Sequence, residues 1–106
     1  MIHLRRDYDR FQDPEGKIPE NEPVFIIRGQ DFTAPDVIYY WGKVARAWGA
    51  SPELCHRVAE FSDYVARWQQ TYGCKVPDTD IDQLREIDEL PLIPKTSPVS
   101  GDDDAK

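Results

Sequence analysis

Residues 33–73, TAPDVIYYWGKVARAWGASPELCHRVAEFSDYVARWQQTYG, decide the fold. They read as two amphipathic helices joined by a tight glycine turn. Thr33 is placed to cap the first helix, and Pro35 stands in the first turn, where a missing N–H costs nothing. Asp36 adds negative charge at the positive end of the helix dipole. Val37, Ile38, Trp41, Val44, Ala45 and Trp48 recur at three-four spacing, the mark of one apolar stripe. Gly49 is the residue type that stops a helix in a left-handed conformation. Ser51 and Pro52 then open a second helix, with Leu54, Val58, Phe61, Val65, Trp68 and Tyr72 on its stripe and Gly73 as its stop. Glu60 and Asp63 are expected to pair with Arg67. A link as short as Gly49-Ala50 forces a hairpin or a steeply crossed corner.

Aromatic side chains dominate small cores. Trp41, Trp48, Phe61 and Trp68 are therefore expected in the interior, with Phe61→Ala costing about 3–5 kcal/mol. The alternative is that Tyr39, Tyr40 and a Trp edge form an exposed binding patch.

Outward from the pair, Pro23-Val-Phe-Ile-Ile-Arg28-Gly29 reads as a short strand, apolar on both faces. It needs a partner for its backbone groups. Met1–Leu4, Leu90–Ile93 or the same strand of a second subunit would serve, so a homodimer built on Val24–Ile27 is one expectation. Arg28, Gln30 and Asp31 cluster between strand and helix, where binding sites are often built. Pairing of Arg28 with Asp31 would fix the turn. The single Gly29 makes no phosphate loop.

Residues 1–22 are mixed in charge and turn-rich, an arm that is either mobile or docked through Tyr8 and Phe11. Residues 23–90 form the globular domain. Thr79 opens a short third helix, Asp80 to about Glu89, with Asp82 closing a capping box. Residues 94–106 have the composition of a disordered acidic tail. The fold class expected is mainly α, a small α+β fold: a helical hairpin, a short third helix and one strand before the first helix.

The chain has 106 residues, 40% of them hydrophobic, and a net charge of −7. That charge disfavours direct binding to a nucleic-acid backbone. It permits an acidic protein that covers a basic surface of another protein. The N-terminus reads as no signal peptide and no apolar run has membrane-spanning length, so a cytoplasmic protein is expected. Cys55 and Cys74 stand at opposite ends of the second helix, roughly 25 Å apart at helical rise, too far to form a disulfide. Cys55 and His56 project from different helix faces, so they form neither a nucleophile–base pair nor, lacking companions, a metal site. No cofactor or metal is expected, and no enzymatic activity.

The run Glu22-Pro-Val-Phe-Ile-Ile-Arg-Gly-Gln-Asp31, with Thr33-Ala-Pro-Asp36 and Tyr40-Trp41, resembles small uncharacterised bacteriophage and prophage proteins. These carry a Glu-Pro-x-Phe-aliphatic-aliphatic-Arg-x-x-Asp segment followed by two helices. The resemblance covers about residues 22–72 and brings no catalytic residue with it. It implies a phage-encoded interaction protein that binds a host protein, a host defence complex among the candidates. A virion or assembly accessory protein is the alternative, and a cytoplasmic regulator with a small-molecule pocket is a further one.

Overall fold

A computed structural model describes residues 1–94. The elements are strand β1 (Ile2–His3), strand β2 (Pro23–Val24), helix α1 (Ala34–Ala47) and helix α2 (Pro52–Tyr72), with 3₁₀ turns at Arg6–Tyr8, Ile81–Gln83 and Ile87–Glu89. This is a small, mainly α fold with a two-stranded sheet before the first helix. The expected acidic tail, residues 94–106, lies outside the described residues from position 95 on. Two compact units divide the chain, one running over Met1–Phe25 and returning from Asp80, the other over Ile26–Thr79.

In the second unit, local signals set the helix boundaries. Gly49 takes φ 100° and Gly73 φ 97°, conformations that cost glycine least. After Gly49 the Ala50 N–H reaches back to the Ala45 carbonyl at 2.9 Å. Ser51 accepts from the Leu54 N–H at 3.1 Å. At the start of α1 the capping differs from expectation. Thr33 flanks the helix but its hydroxyl caps nothing; it donates instead to Asp31 Oδ1 at 2.7 Å, which also accepts the Thr33 N–H at 2.9 Å. Asp31 therefore holds the turn, and it forms no ion pair with Arg28 among the described residues. Asp31→Ala is expected to destabilise the helical unit by about 0.5–2 kcal/mol, the usual worth of such a bond at a helix start, read as a lower urea midpoint by circular dichroism.

The helices meet through small residues. A Cβ added to Gly42 would lie 3.4 Å from Val58 Cγ1 and 3.8 Å from the Cys55 carbonyl. Ser62 donates to the Pro35 carbonyl at 2.7 Å. Position 42 against 58 and 35 against 62 is the register of an antiparallel hairpin. By the 3.6-residue period, Ala34, Ile38 and Ala45 share the side of α1 that carries Gly42, and each is buried or half-buried. On α2, Ser62 and Val65 are buried. Gln69 ties this unit together, donating to the Gly29 carbonyl at 2.8 Å and the Asp31 carbonyl at 2.7 Å. The chain leaving α2 runs beside the same link, with Lys75 N–H to Gln30 O at 2.9 Å and Phe32 N–H to Lys75 O at 3.0 Å. On α2 Arg57 pairs with Glu53, and His56 Nε2 lies 3.5 Å from Glu60 Oε2; the expected pairs with Arg67 do not form among the described residues.

The first unit corrects two expectations. The strand is shorter than Pro23–Gly29 and its partner lies within the chain: β2 pairs parallel with β1, Ile2 opposite Pro23 and His3 opposite Val24. The 3₁₀ turn at Arg6–Tyr8 diverts the chain before the ladder can extend to residues 25–28, so the strand needs no second subunit for its pairing. The third helix is absent. Leu84 is extended and bridges antiparallel to Arg5. Arg85 donates its N–H to the Leu4 carbonyl at 2.8 Å, and its guanidinium reaches the His3 carbonyl at 2.9 Å and the Asp9 carboxylate at 2.5 Å. These contacts pull residues 84–86 out of helical geometry and leave only single turns on either side. Asp80, not Thr79, stands at the start of the first turn and accepts the Asp82 N–H at 3.1 Å.

His3 and Tyr8 form the interior of this unit. His3 is 1% exposed and Tyr8 6%, edge to face at 6.4 Å. The unit is also stapled by carboxylates. Arg85 beside Asp9, Arg5 beside Asp7 and Arg6 beside Glu89 each hold the acid below its usual range, and the Ile18 N–H does the same for Asp13. A carboxyl depressed in the fold stabilises above its unfolded value and loses that contribution as pH falls through the folded value. Amide protection over residues 2–24 is therefore expected to be level from neutral pH down to about 5 and to fall below the ordinary values of 3.8 for Asp and 4.5 for Glu. Hydrogen exchange across an acid series measures this, and protection that rises on acidification would oppose it.

Candidate interaction surface

The helix aromatics do not lie where a core would put them. Trp41 is 53% exposed, Trp48 72%, Phe61 55% and Trp68 37%. Expected burial of these four side chains is thus corrected, and the 3–5 kcal/mol cost does not apply to a Phe61 ring that is more than half open within the chain. The physical reason is the small-residue contact. Gly42 and the residues that share its side bring the helix backbones together, which turns the aromatic stripes beside the helix contact instead of into it.

At about 100° per residue, Val37, Trp41, Val44 and Trp48 fall within an arc of roughly 60° on α1, next to the side that meets α2. Leu54, Phe61, Trp68 and Tyr72 occupy a similar arc on α2, and every one of these residues is exposed. In an antiparallel hairpin the two arcs open on the same face. Along α2 the rings also contact each other: Phe61 stacks on Tyr64 at 6.0 Å and Trp68 tilts against Tyr72 at 5.3 Å. Trp68 is the most anchored ring, because one edge lies against Gly29, whose added Cβ would be 3.7 Å from Trp68 Cε3.

A second surface lies on the side of α1 turned away from α2. There Tyr39 and Tyr40 are exposed, and Lys43 Nζ sits 5.5 Å from the centre of the Tyr39 ring. Asp36 shares this edge by helical phase. Of the residues expected to form one site, Tyr39 and Tyr40 are both exposed on α1, and Arg28 is exposed on the preceding link. Gln30 and Asp31 are half-buried and serve the turn through their backbone and carboxylate bonds. The apolar face itself was missed by sequence reasoning. Its signal was present in Gly42 and Ala45, small residues interleaved with the large ones.

Among the described residues no group of three or more His, Cys, Asp or Glu side chains is placed to hold a metal ion. Cys55 and Cys74 are not joined. No described helix is long and apolar enough to cross a membrane. An open cavity of about 410 Å³ in the first unit borders His3, Asp9 and Arg85, but the two charged groups are already paired with each other. Comparison with known protein families, curated proteins and solved structures finds no match.

Proposed function

We propose that this is a small non-enzymatic interaction protein, encoded by a bacteriophage, that acts in the host cytoplasm by binding a host protein. The observation that carries the reading is the placement of the helix aromatics on the surface. A monomer's largest apolar patch is typically about 300–600 Å², and contiguous rings beyond that size serve association. Interfaces are enriched in Tyr, Trp and Arg; Tyr39, Tyr40 and Arg28 contribute two of these types. The tyrosine edge is assigned to the foreign partner. The phage origin is supported by the resemblance of residues 22–72, and a host defence complex is one target class consistent with it.

Affinity capture from host lysate tests this. The wild-type chain is expected to retain a host protein that the Tyr39→Ala/Tyr40→Ala double variant loses, at unchanged helix content. Retention of phage structural proteins in its place would support a virion or assembly accessory role, and no tyrosine-dependent retention would reject the interaction reading.

A further inference from the structure

The apolar face shared by α1 and α2 has its own occupant. We infer that a second copy of this chain covers it, so that two hairpins pair about a two-fold axis into a four-helix arrangement. The inference rests on the reading of this face as an association surface and names what fills it.

Area is the first argument. Aromatic side chains carry about 150–250 Å² each. At the observed exposures the face offers on the order of 700 Å². One partner's share of a standard stable interface is about 800 Å², so two such faces meeting are enough for a specific dimer.

Spacing is the second. On α2 the stripe runs 54, 58, 61, 65, 68, 72, alternating steps of four and three, and on α1 it runs 37, 41, 44, 48 in the same steps. This is the period that packs helices against helices at shallow angles. Val58 and Val65 lie on the α1 side of that seam; the alternate positions face outward. The occupant must therefore present helices of similar length with a matching seam, which the same hairpin does.

Charge is the third. The chain's net −7 does not reside in this unit. Between Ile26 and Thr79 there are six Lys/Arg and six Asp/Glu, which leaves the helical unit neutral. A neutral face gains no long-range attraction toward a basic or an acidic protein, and it meets little repulsion from its own copy. In an isologous pair the rim on α2 also meets its own mixed charges, Glu53 with Arg57. The tyrosine edge remains outside the pair and open to the foreign partner, once on each copy.

Sedimentation of the purified full chain between about 1 and 100 µM decides, a range that brackets micromolar dimer affinities. A mass of twice 12.3 kDa is expected, with Trp41→Lys/Phe61→Lys reduced to the mass of one chain while keeping its helical circular dichroism. A single-chain mass for the wild type at the highest concentration would overturn the proposal. So would a doubled mass that survives in the double variant, since the contact would then lie elsewhere. Should the variant unfold, dilution of the wild type decides by itself: tryptophan emission is expected to move to longer wavelength as the mass halves, and emission that stays constant overturns the proposal. Because only purified protein is used, this outcome is independent of whether lysate capture succeeds.

Discussion

His3→Ala is expected to cost the first unit about 2–4 kcal/mol, from the cavity left by a buried ring and the loss of a buried hydrogen bond. The ring is the largest fully buried side chain among the described residues. Its Nε2 lies 2.7 Å from the Phe11 carbonyl. A carbonyl only accepts, so Nε2 is the donor of this hydrogen bond. Nδ1 has no hydrogen-bond partner among the described residues. Removing the ring opens β1, releases the Phe11 carbonyl and strips Tyr8 of its neighbour. Hydrogen exchange over residues 2–24 should show the loss as lower protection there. A drop under about 1 kcal/mol would mean that the arm is held by Arg85 and the carboxylate staples without the ring, since backbone and charge contacts survive its removal.

Gly42→Leu is expected to separate α1 from α2 at a cost of about 1–3 kcal/mol, the range for overfilling a close contact. A Cβ added at position 42 would already lie 3.4 Å from Val58 Cγ1, which leaves no room for a branched extension. Gly42→Ala is the informative control. Alanine favours helix over glycine by about 1 kcal/mol, and a single methyl at 3.4 Å needs only a small shift of Val58, so its net change is expected to be within about 1 kcal/mol of zero. Urea unfolding followed by helical circular dichroism measures both. A leucine variant as stable as wild type would show that the helices do not approach closely at position 42.

The hairpin was legible because its signals are local. Ser51-Pro52 starts a helix and Gly49 and Gly73 stop one wherever the chain goes next, and the two-residue link leaves little choice of connection. Periodicity correctly showed that each helix has an apolar stripe. It does not say whether the stripe is covered by the same chain or by another, and Trp41 and Phe61 were placed inside on that ambiguity. The direction of the helix contact was set by residues with little hydrophobic weight, Gly42, Ala34 and Ser62. The third helix failed for a different reason. Its local pattern is helical, but Arg85 gains more from His3, Leu4 and Asp9, contacts 76 to 82 positions away in sequence. The pairing of β1 with β2 joins residues 2–3 to residues 23–24, and the sequence offered it only as one of three partners. Of the candidate site, Tyr39 and Tyr40 were legible as exposed aromatics, whereas Asp31 was legible only as polar, with its bond to Thr33 invisible before the turn was seen.

The central claim is that the aromatic face of the hairpin is open within one chain and covered by another. Hydroxyl-radical footprinting of the purified protein across a dilution series reads this at the residues concerned. Trp41 and Phe61 are expected to be labelled at high dilution and protected when concentrated, while Tyr8 stays protected and Tyr39 stays labelled throughout. Labelling of Trp41 and Phe61 that does not change with concentration would contradict the account.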